Sequence, residues 1–185
     1  MSVDAVVGRL LADDMTTVLI DGRSGSGKST LADRLHHRWP ASILVRLDDI
    51  YPGWDGLEWA SRHVHDALLR PRAEGRPGRW RRWDWATAAP AGWHTVSADR
   101  RLIVEGVGAL APDNRALADL GIWVESPEDL RKQRALQRDG DTYRPHWDRW
   151  AAQELQFIAR CAPRAGADYV VTETAHGATW TTVPR

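Results

Sequence analysis

The stretch Thr17-Val18-Leu19-Ile20-Asp21-Gly22-Arg23-Ser24-Gly25-Ser26-Gly27-Lys28-Ser29-Thr30 decides the fold. Val18, Leu19 and Ile20 form a short apolar run that reads as a buried strand, and Gly22 turns the chain out of it. Beyond the glycines, Leu31, Leu35 and Trp39 recur at the spacing of one helix face, and Pro40 stops that helix. Between strand and helix, Gly22–Ser29 satisfies the pattern G-x-x-x-x-G-K-[ST], with Thr30 following. Each residue type answers a physical need. Glycines take positive-φ conformations and let successive backbone N–H groups converge on one anion. The helix that follows points its unpaired amino-terminal N–H groups and dipole at the same phosphates. Lys28 adds a mobile charge near the β and γ oxygens, and the Ser29 hydroxyl can hold Mg²⁺. Gly22, Ser24, Gly25, Ser26, Gly27, Lys28, Ser29 and Thr30 are therefore the expected nucleotide contacts.

Working outward, Val3, Val6, Val7, Leu10 and Leu11 predict an amphipathic helix before this strand. Ile43–Leu47, Arg101–Glu105, Leu120–Glu125 and Tyr169–Thr172 are further apolar strands. Leu57, Ala60, Val64, Ala67 and Leu68 predict a helix ending before Pro71. Ser126-Pro127-Glu128-Asp129 is a helix start, with serine as the cap and acids facing the dipole. That helix reaches about Arg138, where Gly140 ends it; Trp147, Ala151, Leu155 and Ile158 mark another. Residues 71–92 read as irregular. The alternation predicts an α/β fold: a parallel five-stranded sheet with helices on both faces, in one domain spanning 1–185. Ligands of such sheets bind at the carboxyl ends of the strands.

Bulk properties narrow the function classes. The 185 residues carry equal numbers of acidic and basic side chains, which removes any global reason to expect nucleic acid or membrane as a partner. One cysteine, Cys161, cannot form an internal disulfide, and Met1–Asp14 lacks the layout of a signal peptide, so the expectation is cytoplasmic. Of 25 basic residues only Lys28 and Lys132 are lysine, which makes the lysine in the phosphate loop conspicuous. Eleven tryptophans stand against one phenylalanine, and most are expected to fill core and rim positions.

The phosphate loop, Leu47-Asp48-Asp49-Ile50-Tyr51, Trp83-Asp84-Trp85, Val104-Glu105-Gly106-Val107 and Arg134…Arg138-Asp139 stand in an order and spacing that resembles the uridine kinases. More broadly, they resemble the P-loop kinases of nucleosides and small metabolites. The resemblance implies an ATP-dependent phosphotransferase that uses Mg²⁺. It implies Asp48 as the base that receives the proton of an attacking hydroxyl, although Ile50 stands where the family usually has an aromatic residue. It implies Asp84, Tyr51 and Trp83 around the acceptor, within an insertion at about 71–95. Glu105 and Ser29 would hold the metal. Arg134 and Arg138 would close over the phosphates from a lid at about 131–146. Arg131 shares their helix face, and guanidinium suits the task through its fixed, bidentate donors. Adenine contacts are expected around Thr172–His176.

Other signals carry less. Arg76–Trp83 interleaves arginines with tryptophans, a pattern suited to single strands, but the patch is short in a chain of zero net charge. His36-His37 and His63-x-His65 lack the spacing of a zinc site. A nucleotide-binding module or ATPase signalling to a partner is the alternative reading. GTP switching is disfavoured because the chain contains no Asn-Lys-x-Asp motif.

Overall fold

The computed structural model describes residues 2–174 and 177–184, except for the Asp139 side chain. Strand β1 (Thr17–Asp21) is buried throughout and lies inside a six-stranded sheet. Its two neighbours, β5 (Leu102–Glu105) and β6 (Leu120–Glu125), run parallel to it. Strand β2 (Ile43–Arg46) lies outside β5, and β7 (Tyr169–Thr174) outside β6, again parallel. These are the strands expected from the apolar runs. The sheet nevertheless has six strands rather than five, because β8 (Gly177–Thr182) pairs antiparallel with β7. Its sequence, Gly-Ala-Thr-Trp-Thr-Thr, is half threonine and forms no apolar run, as suits a partly solvated edge.

Side chains alternate along β1, so Val18 and Ile20 enter one core and Leu19 the other. The first core is closed by α1 (Val3–Ala12) and α2 (Lys28–Arg38), with Leu10, Leu31, Leu35 and Trp39 against the sheet. The second lies under α3 (Leu57–His63), α6 (Glu128–Tyr143) and α7 (Trp147–Cys161). Helix α3 does not stop before Pro71. It passes through a π-helical stretch, Val64–Leu69, into α4 (Arg70–Ala73). A widened turn leaves a place for a residue without an N–H, which relieves the usual conflict of proline with helix. Short helices α5 (Pro112–Arg115) and α8 (Pro163–Gly166) complete the connections.

Two further departures from the sequence reading concern local structure. Residues 71–92 are not irregular throughout: β3 (Gly78–Asp84) and β4 (Ala89–Val96) form a separate antiparallel hairpin with a register shift between Arg81 and Trp83. Its inward positions include Gly78 and Trp80, so no apolar run announces it. Ser126 does not cap α6: that helix begins at Glu128 after Pro127, and the Ser126 hydroxyl is buried without a hydrogen-bond partner.

Burial sorts the tryptophans. Trp39 is fully enclosed, while Trp93 on the hairpin is 49% exposed. Trp39→Ala should therefore cost about 3–5 kcal/mol in chemical denaturation, against less than about 1 kcal/mol for Trp93→Ala. Equal losses would contradict this placement of the core.

Candidate active site

The carboxyl ends of β1, β2 and β5 carry the polar residues of the site. Between β1 and α2 the loop enters the helix at Gly27, which has φ 98° and caps α2 without any side-chain hydrogen bond. No acid stands in the first turn of α2, so its first N–H groups are left for an anion. Gly25 has φ 77°, and a Cβ there would lie 2.0 Å from the Arg131 carbonyl oxygen, a distance no side chain tolerates. The loop thus packs directly on the backbone of α6. Lys28 is buried, and Ser26 keeps a buried hydroxyl without a partner.

Besides the Ser26 N–H on the Arg23 carbonyl at 3.0 Å, the loop is held by side chains from outside it. Asp21, fully buried at the end of β1, accepts hydrogen bonds from the N–H groups of Gly22 (2.6 Å), Gly108 (3.1 Å) and Leu110 (2.8 Å). Burial outweighs these donors and the nearby Lys28, and lifts the Asp21 carboxyl to about 7. From α7, the buried Glu154 accepts from the Ser24 N–H at 2.7 Å and from Arg23 Nε at 2.9 Å. From α6, Arg131 donates to the Ser24 carbonyl at 3.1 Å. Arg131 therefore does not stand free on a helix face with Arg134 and Arg138. It is buried and committed to the loop's backbone.

Asp48 lies on a short 3₁₀ turn, Leu47–Asp49, directly after β2, and is exposed to a cleft of about 690 Å³. Lys28, Ser29 and Arg138 line the same cleft. The adjacent Asp49 is raised by partial burial and by the charge of Asp48. Glu105 ends β5 in full burial, which pushes its carboxyl up against the opposing pull of Lys28. Its Oε1 has no hydrogen-bond partner, and Arg46 Nε stands 3.4 Å from it. The Ser29 side chain contacts the same carboxylate. An orphaned carboxylate oxygen beside a hydroxyl is a set of hard oxygen donors, which fits a magnesium ion completed by phosphate and water.

The far half of the cleft is aromatic. Trp54 stacks in parallel with Tyr143 (5.2 Å) and His146 (4.5 Å), meets Trp85 at 4.9 Å, and is crossed edge-on by Trp150 at 6.4 Å. Gln153 of α7 donates to the Trp54 carbonyl at 2.6 Å. Trp85, at the tip of the β3–β4 hairpin, donates its Nε1–H to the Asp48 carbonyl at 2.8 Å. Tyr51 lines the cleft only from below: it is buried, and its hydroxyl donates to the Val107 carbonyl at 2.8 Å.

Asp84 and Trp83 are placed elsewhere. Asp84 accepts from the Ala86 N–H at 2.9 Å within its own turn, and those contacts hold its carboxyl low. Trp83 lines a small apolar hollow of about 80 Å³ with Trp59 and Pro90. Arg134 and Arg138 flank a hollow of about 120 Å³ over Gly25, Gly27, Ser29 and Thr30. Thr172–Thr174 end β7, and Glu173 there packs within 3.2 Å of where a Gly27 Cβ would stand. Ala175 and His176 lie outside the described residues.

The sheet order, the phosphate loop and the acids at the strand ends make this arrangement comparable with solved structures. Over 91% of this chain and 96% of the other, it is similar to a protein named as a possible uridine kinase from Bacillus stearothermophilus, with TM-score 0.61 and 20% identity. The chain has the fold of the P-loop kinases. A second such structure, provisionally named a fructose transport system kinase from Silicibacter sp. TM1040, matches with TM-score 0.55 and 21% identity over 90% of this chain and 95% of that one. No family model matches the sequence, and no curated protein matches it. Within this P-loop kinase fold, no helix among the described residues is long and apolar enough to cross a membrane.

Sequence reasoning missed Asp21, Arg46, Trp54, Tyr143, Trp150 and Glu154. Asp21 stands directly before the glycine motif and could have been suspected from that position alone. The others come from scattered segments and leave no local spacing to read.

Two outcomes follow for the loop's anchors. The folded chain holds the Asp21 proton more tightly than the unfolded chain, whose carboxyl ionises near 4. Its contribution to stability is therefore complete below about pH 4 and is lost as pH rises through about 7, on the order of 4 kcal/mol in all. Urea unfolding of Asp21→Asn should lack that part of the pH dependence; identical slopes in both proteins would refute it. Glu154→Ala leaves the Ser24 N–H and Arg23 without an acceptor, and should cost about 3–5 kcal/mol in the same measurement.

Proposed function

We propose that this chain is an ATP-dependent kinase that phosphorylates a hydroxyl of a nucleoside or a comparable small molecule. The observation that carries the reading is the single cleft that joins Lys28 and Ser29 to Asp48 and then opens onto an aromatic wall. A site for hydrolysis alone needs no aromatic half; the whole cleft, about 690 Å³, has room for an acceptor beside the terminal phosphate. This supports the kinase over the alternative of an ATPase or nucleotide-binding module that signals to a partner protein.

The amides of the loop and of the first turn of α2 cradle the phosphates, and Lys28 balances charge on the transferring group. Asp48 orients the acceptor hydroxyl in line with that group and takes its proton late in transfer. Arg138 and Arg134 approach the same oxygens from α6 and supply bidentate donors. Ser29 and Glu105 would hold magnesium, which when bound would supply positive charge against the charge that develops on the phosphate. Trp54 and Trp85 present flat apolar surface to the body of the acceptor, while the segment 131–146 acts as the lid that excludes water. The β3–β4 hairpin serves as the acceptor-side insertion through Trp85. The partner this chemistry requires is a small-molecule acceptor; nucleic acid and membrane have no part in it.

Acceptor-dependent ADP release tests the reading. Some member of a panel of nucleosides, sugars and hydroxylated antibiotics should raise turnover well above basal hydrolysis. Failure of the whole panel would overturn it. With an acceptor in hand, Asp48→Asn should still bind ATP while transfer falls by about 10²-fold or more. Undiminished transfer would remove Asp48 from the mechanism.

A further inference from the structure

The strand ends beside the phosphate loop hold one charged contact that the transfer chemistry leaves unused. Arg46 closes β2 in register with Glu105 of β5, and its Nε stands 3.4 Å from Glu105 Oε1. That oxygen is buried and accepts no hydrogen bond from any described residue, so the contact is one of charge. Of the pair, Arg46 is the member that lines the cleft, together with Lys28, Ser29 and Asp48, while Glu105 is buried. The other end of the same guanidinium donates to Asp33, which stands on α2 one turn beyond Ser29 and lines the cleft too. Arg46 is thus shared between a buried carboxylate and an exposed one.

One carboxylate oxygen cannot serve two cations at full strength. Magnesium takes its oxygen ligands at about 2.1 Å, and a guanidinium within a few ångströms of the same oxygen repels the ion. We propose that Arg46 is a counter-cation that magnesium has to displace from Glu105, with Asp33 as the partner that retains it at the edge of the cleft. The inference rests on the phosphotransfer reading above, in which Glu105 and Ser29 hold the metal. Arg46 is only partly covered, so its side chain can turn without disturbing the core. An exposed ion pair is worth little, so Asp33 alone does not draw Arg46 off its buried partner. Phosphate oxygens in the same cleft are stronger acceptors for a guanidinium. A metal ion arriving alone must therefore break the pair for little return, whereas one arriving with its nucleotide brings acceptors for the freed Arg46. Metal entry is in this way tied to nucleotide entry by a side chain that touches neither the loop nor the acceptor wall.

Calorimetric titration with a non-hydrolysable ATP analogue measures this without knowledge of the acceptor. The ratio of its dissociation constants in EDTA and in saturating Mg²⁺ reports how much the metal adds to nucleotide binding. Arg46→Gln keeps a polar side chain but removes the charge, and should raise that ratio by about fivefold or more over the wild-type chain. Arg46→Lys restores the cation and should bring the ratio back towards the wild-type value. Asp33→Asn removes the exposed alternative, leaves Arg46 to Glu105, and should lower the ratio; as a surface change it decides the matter if Arg46→Gln fails to fold. An unchanged or lowered ratio in Arg46→Gln, or an unchanged or raised one in Asp33→Asn, would overturn the proposal. A ratio in Arg46→Lys as high as in Arg46→Gln would do the same, since the effect would then not follow the charge. A chain that binds the analogue neither with Mg²⁺ nor without it would overturn the phosphotransfer reading itself.

Discussion

A phosphate-binding loop has to keep the amide hydrogens that face its ligand unspent, and that constraint shapes the rest of this molecule. Its own backbone ties it through the Ser26 N–H on the Arg23 carbonyl at 3.0 Å, and further fastening comes from buried side chains outside it. Asp21 ties the start of the loop to the segment after β5 by accepting from Gly108 and Leu110. Glu154 and Arg131 reach in from α7 and α6 and hold the two sides of the Ser24 peptide. Each of these groups is buried and hydrogen-bonded, the condition under which a polar side chain can be kept away from water. The two helices on one face of the sheet are thereby committed to positioning the loop as well as to covering the core.

The same strand ends assemble the chemistry. Strand β5 lies between β1 and β2, so Glu105 is delivered to a point between the loop and the turn bearing Asp48. Arg46, one register position across from Glu105, sits against its carboxylate and bridges to Asp33 on α2. The cleft therefore has a charged half at the strand ends and an aromatic half built by the loop after β2, the hairpin tip, the end of α6, and α7. Trp54 is the ring on which those four segments meet.

Much of this fold was legible because its signals are local. The parallel strands are short apolar runs, and the strand–glycine–helix order around Lys28 is imposed by backbone geometry. The hairpin and β8 were not legible, since a two-stranded ribbon and an edge strand expose most of their side chains and need no apolar alternation. Asp48 and Arg138 line the larger cleft and Arg134 and Arg138 the smaller, while Glu105 is buried at the end of β5 beside Arg46. Arg131 lines neither, because two helical turns, about 10 Å, separate it from Arg138, and the loop meets α6 at the nearer end. In the hairpin segment Trp85 at the tip reaches the cleft, while Asp84 closes its own turn and Trp83 lines a separate small hollow. Contacts among Trp54, Tyr143 and Trp150 join positions nearly a hundred residues apart, and no spacing rule along the chain can anticipate them.

In the proposed reaction Asp48 and the phosphate loop are the two sides of one transfer site. A crystal structure with a non-hydrolysable ATP analogue and Mg²⁺ tests it most directly. The triphosphate should lie on the amides of Gly25, Gly27, Lys28 and Ser29, with its terminal phosphate facing Asp48 across space continuous with the Trp54–Trp85 wall. A terminal phosphate directed away from Asp48, or one sealed off from the aromatic half of the cleft, would contradict it.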